Sequence, residues 1–418
     1  MSKWSGFYKL SLQERLSKIS NEFDFSPDDQ AFLVAHQDLI GDTQIENYVY
    51  SFGVPTGLLF DLLVDGKKYV VPMATEEPSV IAAANNGARL IRAGEGVQTE
   101  LKQRLMRGQV ILTNIADQAG LADYITEHST QLIEIANAAK PSIVQRGGGA
   151  KEIILEQLDD QRAIVNVLVD PKAAMGANLV NTMTEAVAEH LRNAGYQVVM
   201  AILSNLTTEA LIQAQVRIPV NVLATKDGLA GEVVAQRIAE ASLIEQLSAY
   251  RATTANKGFL NGIEAAVLAS GNDTRSVNAA LHAYAARSGQ YQGLVKWSVS
   301  ADELVGVTEL PLMLGVVGGS IGIVPAVQLN HRIMGSPTVE RLTGIVAAVG
   351  LAQNLAALRA LVTSGIQAGH MALQAKSLAV QVGATPDELQ RMTERLNQQG
   401  KVDEASAKLL LEEIRGGK

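Results

Sequence analysis

The segment from Leu62 to Pro72 alternates apolar and polar positions on either side of Asp65-Gly66, which predicts two antiparallel strands joined by a tight turn. A helical period around Gln13 to Ser20 precedes it. After it, Val80, Ala83, Ala84 and Leu90 are spaced for one face of a helix whose first turn holds Pro78. From Gln109 to Asn205 the period keeps switching: strand Gln109 to Ile115, helix Gly120 to Ala139, strands Glu152 to Leu158 and Ala163 to Asp170, helix Ala174 to Asn193, strand Gln197 to Leu203. That order, β-α-β-β-α-β, is the split βαβ or ferredoxin-like arrangement. Beyond Val216 the pattern turns helical, with Gly231 to Ser242, Gly262 to Ala269 and Ser276 to Ala286 as helices and Leu342 to Thr363 as a long, nearly uncharged buried one. Thr385-Pro386-Asp387-Glu388 opens a further helix with a capping box, and Glu404 to Ile414 reads as the last. The expected class is α+β. A helix-rich large domain is built from residues 1–108 and 212–371, a ferredoxin-like domain over 109–211 is inserted in it, and 372–418 form a C-terminal helical flap.

Composition narrows what such a protein does. At 418 residues with 47% hydrophobic content the chain fills more than one core. A net charge of −8 argues against broad binding to nucleic acid or an anionic membrane, while leaving room for a local basic patch. The absence of cysteine excludes disulfides, thiolate nucleophiles and cysteine-based metal sites, and the 6 histidines show no paired ligand spacing, so no metal is expected. The opening MSKWSGFYKLSLQERL lacks the apolar core of a signal peptide, which points to the cytoplasm. Leu310 to Asn330 is uncharged and as long as a membrane span, but its glycines and prolines read as buried strand and loop near a ligand.

Against this apolar background, a few polar groups stand out. Lys257 and Asp273 bracket the small-residue stretch NKGFLNGIEAAVLASGND, and a straight helix would hold them roughly 24 Å apart. Direct pairing therefore demands a break near Gly258, Asn261 and Gly262. Glu77 in TEEPS and His370 in SGIQAGHM complete a set of two carboxyls, an ammonium and an imidazole, which suits proton transfer with a developing oxyanion. Each also has an ordinary explanation. Glu77 fits the acidic first turn of a helix, Lys257 an exposed loop, Asp273 an N-cap and His370 a C-cap or a satisfied core histidine. The glycine-rich Arg146-Gly147-Gly148-Gly149 and Ala174-Met175-Gly176-Ala177-Asn178 would let a phosphate or ring approach, yet match no Rossmann or P-loop fingerprint and equally describe turns.

Taken in order, ENYVYSFGVPTG, VPMATEEPSV, RGGG, AMGANLVNTM, ILSN, NKGFLNG, GNDTR, GLAQN and GHMALQAKSLA, spread from about Phe7 to Leu411, resemble the 3-hydroxy-3-methylglutaryl-coenzyme A reductases of the soluble bacterial, class II type. The resemblance implies two hydride transfers from a nicotinamide cofactor that reduce the thioester to mevalonate and free coenzyme A, through a hemithioacetal and an aldehyde. It assigns Lys257 to the oxyanion, Glu77 to proton donation, Asp273 to orienting Lys257 and His370 to protonating the departing thiolate. It places Ser79, Arg251, Asn261 and Gln353 around the hydroxymethylglutaryl group, with Arg251 as partner of its free carboxylate. The inserted domain becomes a non-Rossmann dinucleotide-binding domain, with Arg146, Gly147, Gly148, Met175, Gly176, Asn178 and Asn205 as cofactor contacts. The active site lies at a homodimer interface, and the flap closes over it.

The chain departs from the family at three points. NAD-preferring members carry an acid shortly before RGGG, whereas this chain reads Ala138-Ala139-Lys140-Pro141-Ser142. Lys140 would attract a 2′-phosphate, so NADPH is expected over NADH. Ala173 stands where the family often has aspartate, and Ala255 where it often has histidine; neither removes a catalytic group. Two alternatives are an acyl-coenzyme A reductase for another substrate or for the mevalonate-degrading direction, and a non-catalytic acyl-coenzyme A or nucleotide binder on the same fold.

Overall fold

The computed structural model describes residues 2–363, 365, 375–399 and 403–416. The chain opens with helices α1 (Leu12–Glu22), α2 (Pro27–Ala35) and α3 (Leu39–Gln44), of which only the first is visible in the hydrophobic pattern. Strands β1 (Thr56–Val64) and β2 (Lys67–Ala74) form the expected hairpin. Its turn residues Asp65 and Gly66 both take positive φ, 46° and 75°, as a two-residue hairpin turn matched to the strand twist requires. Helix α4 (Ser79–Ile91) follows with Pro78 as its N-cap, then β3 (Val97–Leu101).

The inserted unit consists of β4 (Met106–Thr113), α5 (Gln118–Ala139), α6 (Pro141–Val144), β5 (Gly149–Gln157), β6 (Ala163–Asp170), α7 (Ala177–Asn193) and β7 (Gln197–Leu203). Its four strands pair antiparallel in the order β5-β6-β4-β7, the ferredoxin-like order, over a core that includes Val110, Leu132, Val167, Met183 and Leu191. Strand β4 begins three residues before the expected edge of this unit, at Met106, because Arg107 looks like loop in sequence but is held by an ion pair to Glu209.

The chain then returns to the first sheet as β8 (Leu211–Pro219), so residue 211, assigned from sequence to the insert, already pairs outside it, with Pro311. There follow α8 (Gly231–Leu247), α9 (Ala249–Ala269), α10 (Thr274–Ala285), β9 (Val295–Ser300), β10 (Glu303–Pro311), α11 (Pro325–Ile333) and α12 (Val339–Leu361). The large sheet runs β2-β1-β3-β8-β10-β9, with α12 at the centre of its helical cover. Helix α12 is long and apolar enough to cross a membrane, but most of it is buried against α4 and α9. The three helices pack closely because their contact points are small: a Cβ on Gly87 of α4 would collide with the carbonyl oxygen of Ala352. The last helices, Pro386–Gln399 and Glu404–Arg415, share a separate small core around Met392, Leu396 and Leu410.

One expectation fails outright. Helix α9 starts at Ala249, thirteen residues before the expected Gly262, and runs unbroken through Gly258, Asn261 and Gly262. Gly262 is there to let Gln353 of α12 approach, not to bend the chain. The turn comes later, at Gly271, with φ of 72°. The polar residues that hid the helix from the pattern form a stripe along α9, and that stripe faces a cavity.

Candidate active site

Steps of three and four residues put Arg251, Thr254, Lys257, Gly258 and Asn261 on one side of α9, while Phe259, Ile263 and Ala266 fill the core behind. Ser248 caps the helix by accepting from the Arg251 N–H, which fixes Arg251 in the first turn. Across from this stripe, β2 delivers Glu77 just before α4. One carboxylate oxygen of Glu77 accepts from the Ser79 hydroxyl at 3.1 Å; the other accepts from Lys257 Nζ at 2.9 Å and Asn261 Nδ2 at 3.5 Å.

Ser79, Arg251, Asn261 and Gln353 line one cavity of about 410 Å³ together with Glu77 and Lys257. Six of the residues expected to handle substrate thus meet in one place. Within one chain the cavity is open to water, with 65% of the Lys257 side chain exposed. Among the described residues, Oε1 of Gln353 is buried there without a hydrogen-bond partner.

Asp273 does not join them. Its carboxylate caps α10, accepting from the backbone N–H groups of Arg275 and Ser276 at 2.9 and 3.1 Å, with Arg275 Nε at 3.4 Å. It lines a different cavity, of about 480 Å³, with Met175, Gly176 and Asn178 on one wall and Gly318 to Ile321 on another. Asn272 ties this place together by exchanging hydrogen bonds with the backbone of Gly315, and a Cβ on Gly315 would lie 2.5 Å from the Met175 nitrogen. Half-buried Arg104 donates to the carbonyls of Lys172, Ala174 and Leu314, holding the same segments. Asn205 reaches the adjoining first turn of α10, where its side chain accepts from Ser276 Oγ at 3.0 Å.

The remaining cofactor candidates do not line this cavity. Gly147 takes φ of 81° in the turn before β5, and Gly148 packs so closely on the Asp170 carbonyl that a Cβ would sit 2.6 Å from it. Lys172 lies against both glycines and leads directly into Ala174 to Asn178. Lys140 stands at the end of α5, one residue before α6, and Arg146 just after it. His370 lies outside the described residues.

Sequence reasoning missed two groups. Glu245 of α8 is buried in the wall of the 410 Å³ cavity, and Arg89 and Arg359 face a neighbouring polar cavity of about 730 Å³ with Lys226 and Asp227. Both cavities are bordered by Asn86. Arg359 is held below the usual guanidinium range by burial and then by the charge of Arg89. In the sequence, Arg89 and Arg359 read as isolated charges on apolar helices, and Glu245 fell beyond the expected end of its helix at Ser242.

Residues 11–375 match the family model of hydroxymethylglutaryl-coenzyme A reductase. The chain belongs to that family. It is 40% identical over 422 aligned positions to the 3-hydroxy-3-methylglutaryl-coenzyme A reductase of Archaeoglobus fulgidus, covering 99% of this chain and 95% of that one. With the probable reductase of Borreliella burgdorferi it shares 35% identity over 384 positions, 89% of this chain and 85% of the relative. Among solved structures, the reductase of Streptococcus pneumoniae superposes with a TM-score of 0.77 at 42% identity, covering 99% of this chain and 100% of that one. A structure of the class II reductase from the same organism, bound to NADPH in open conformations, gives 0.76 at 42% identity, with 97% and 100% covered. The family and the α+β fold expected from the sequence motifs are therefore borne out.

Proposed function

We propose that this hydroxymethylglutaryl-coenzyme A reductase family member reduces (S)-3-hydroxy-3-methylglutaryl-coenzyme A to mevalonate and free coenzyme A, working in the biosynthetic direction in the cytoplasm. The observation that carries the reading is the contact of Lys257 with Glu77 in a cavity shared with Ser79, Arg251, Asn261 and Gln353. An ammonium beside a carboxyl forms a unit that stabilises an oxyanion and passes a proton across a 2.9 Å gap. Arg251 is the fork for the free carboxylate of the acyl group, and the unpartnered Oε1 of Gln353 accepts from its hydroxyl. His370 takes the task of protonating the thiolate that leaves.

NADPH, when bound, supplies both hydrides. The cradle around Met175, Gly176 and Asn178 fits such a group: Gly176 takes φ of 104°, a Cβ there would meet Pro171 at 2.5 Å, and α7 begins behind it with no side-chain cap on its N–H groups. Arg146, Gly147 and Gly148 extend the track toward Lys140, which receives a 2′-phosphate, and Asn205 braces its far wall. Residues 109–211 then act as the dinucleotide-binding domain, the flanking segments 1–108 and 212–371 as the substrate domain, and 372–418 as the flap.

The two cavities are separate in one chain, with Asp273 in one and Lys257 in the other. Pairing two copies would set Asp273 of one beside the exposed Lys257 of its partner, so we assign a homodimer. The like-charged Arg89 and Arg359, next to the substrate cavity, suit the phosphates of coenzyme A. The test is a spectrophotometric assay of NADPH oxidation with hydroxymethylglutaryl-coenzyme A, run beside other acyl thioesters and beside NADH. Turnover of another thioester alone would replace the substrate, and faster NADH turnover would reverse the cofactor assignment.

A further inference from the structure

One acid in the substrate cavity has no task in the scheme above. Glu245 lies near the end of α8 with 2% of its surface exposed, in the cavity wall that also holds Arg251 and Gln353. Its backbone carbonyl accepts from the Gly293 N–H at 3.1 Å, while among the described residues no donor acts on its carboxyl, whose oxygens open into the cavity rather than being fully enclosed. A buried carboxylate with no donor is costly, and a cavity that must also accept a substrate carboxylate doubles the problem.

Few charges surround it. Helix α9 presents Arg251 and, farther along, Lys257; Glu77 stands across the cavity. Helix α4 contributes Ser79 and Asn86, and α12 contributes Gln353 and Asn354, all uncharged. Strand β9 buries Val295 and Trp297 on the side of α8 and exposes Lys296 on the other, and the turn Val220–Leu223 carries no charge. Among the described residues that line this cavity, Arg251 is the one guanidinium, and its charge acts on Glu245. Burial pushes the Glu245 carboxyl up to about 7, against the pull of Arg251.

We propose that Glu245 holds a proton in the substrate complex and donates it as a hydrogen bond to the free carboxylate of the acyl group, which Arg251 neutralises, so that the site selects acyl chains ending in a carboxylate. The proposal rests on the reductase reading above. No covalent bond to carbon changes; one proton passes from solvent to Glu245 when the free protein binds substrate with that acid ionised. The incoming negative charge raises the proton affinity of Glu245 further. Affinity is then constant below the free-protein value and falls as pH rises above it, by up to about tenfold per pH unit.

Calorimetric titration of the full-length protein with hydroxymethylglutaryl-coenzyme A, in buffers of different ionisation enthalpy from about pH 6 to about pH 9, measures both consequences. The expected result is a Kd that is flat at the acid end and climbs above neutrality, with close to one proton taken up there, and no such uptake with acetyl-coenzyme A, which lacks the carboxylate. Glu245→Gln keeps a donor that does not titrate, so its Kd should be flat and its uptake absent. A wild-type protein with no uptake, equal uptake with both thioesters, or a Gln variant that keeps the wild-type slope overturns the proposal. The first two readouts need no variant. If wild-type protein neither binds nor reduces hydroxymethylglutaryl-coenzyme A at any pH, the reductase reading fails and Glu245 falls with it; turnover with a flat binding profile removes only the role of Glu245.

Discussion

Lys257 Nζ stands 2.9 Å from Oε2 of Glu77, a contact closed across 180 residues of chain by the packing of α9 on β2. Two features of the pair bear on its role: both side chains border the same cavity, and the lysine keeps 65% of its surface exposed. An exposed ion pair contributes little to stability, while an ammonium aimed at a developing oxyanion contributes much to rate. Lys257→Ala should therefore lower kcat by about 10²–10³-fold or more and change unfolding free energy by less than about 1 kcal/mol. Steady-state NADPH oxidation and denaturant unfolding on one preparation check both; a large stability loss would make the pair structural.

Arg251 offers a charge-assisted fork, and removing such a partner costs roughly 1.5–3 kcal/mol, equivalent to about 10- to 100-fold in binding. Arg251→Ala should raise KM for hydroxymethylglutaryl-coenzyme A by that factor, with a smaller change in kcat. An unchanged KM would place the substrate carboxylate elsewhere.

Lys140 ends α5 on the approach to the glycine turn. Lys140→Asp should weaken NADPH by about tenfold or more through loss of a phosphate contact and gain of a like charge, and improve NADH. Comparing kcat/KM for the two dinucleotides decides it, and a constant ratio refutes the role.

The Arg89 and Arg359 pair suggests a different comparison. Arg359→Gln should raise KM for the coenzyme A thioester by about tenfold, the scale of one charged hydrogen bond. The pantetheine thioester, which lacks the nucleotide phosphates, should show no such penalty. Equal losses with both substrates would mean that Arg359 only supports the Leu223 and Ala224 carbonyls it already binds.

Gly87 lets α4 lie directly on the α12 backbone. Gly87→Ala forces the two helices apart, since its new Cβ meets the Ala352 carbonyl rather than a movable side chain. Overpacking of this kind costs about 1–3 kcal/mol. Thermal unfolding should show a lowered midpoint, and because α12 carries Gln353, KM should rise as well.

Periodicity located β2 and the six main elements of the insert to within a few residues, because each has a strong apolar repeat and ordinary turn chemistry; of β1 it marked only the end, the strand starting six residues earlier at Thr56. It failed at α9, where Arg251, Thr254, Lys257 and Asn261 interrupt the apolar repeat and look like a loop. It also passed over α2 and α3, short helices with little or nothing buried. Glu245 was invisible because the expected helix stopped at Ser242, whereas α8 runs on to Leu247.

The residue order by itself determined the family, the α+β class, the βαββαβ insert and a short set of chemically capable side chains, since local repeat and motif spacing are properties of the chain alone. Only the folded arrangement decided that Lys257 meets Glu77 while Asp273 faces the glycine-lined cavity. It also decided that α9 continues where a break was expected, and that Glu245 is buried beside Arg251. Those outcomes depend on which helix faces pack together, and packing joins residues far apart in sequence whose contacts no local pattern encodes.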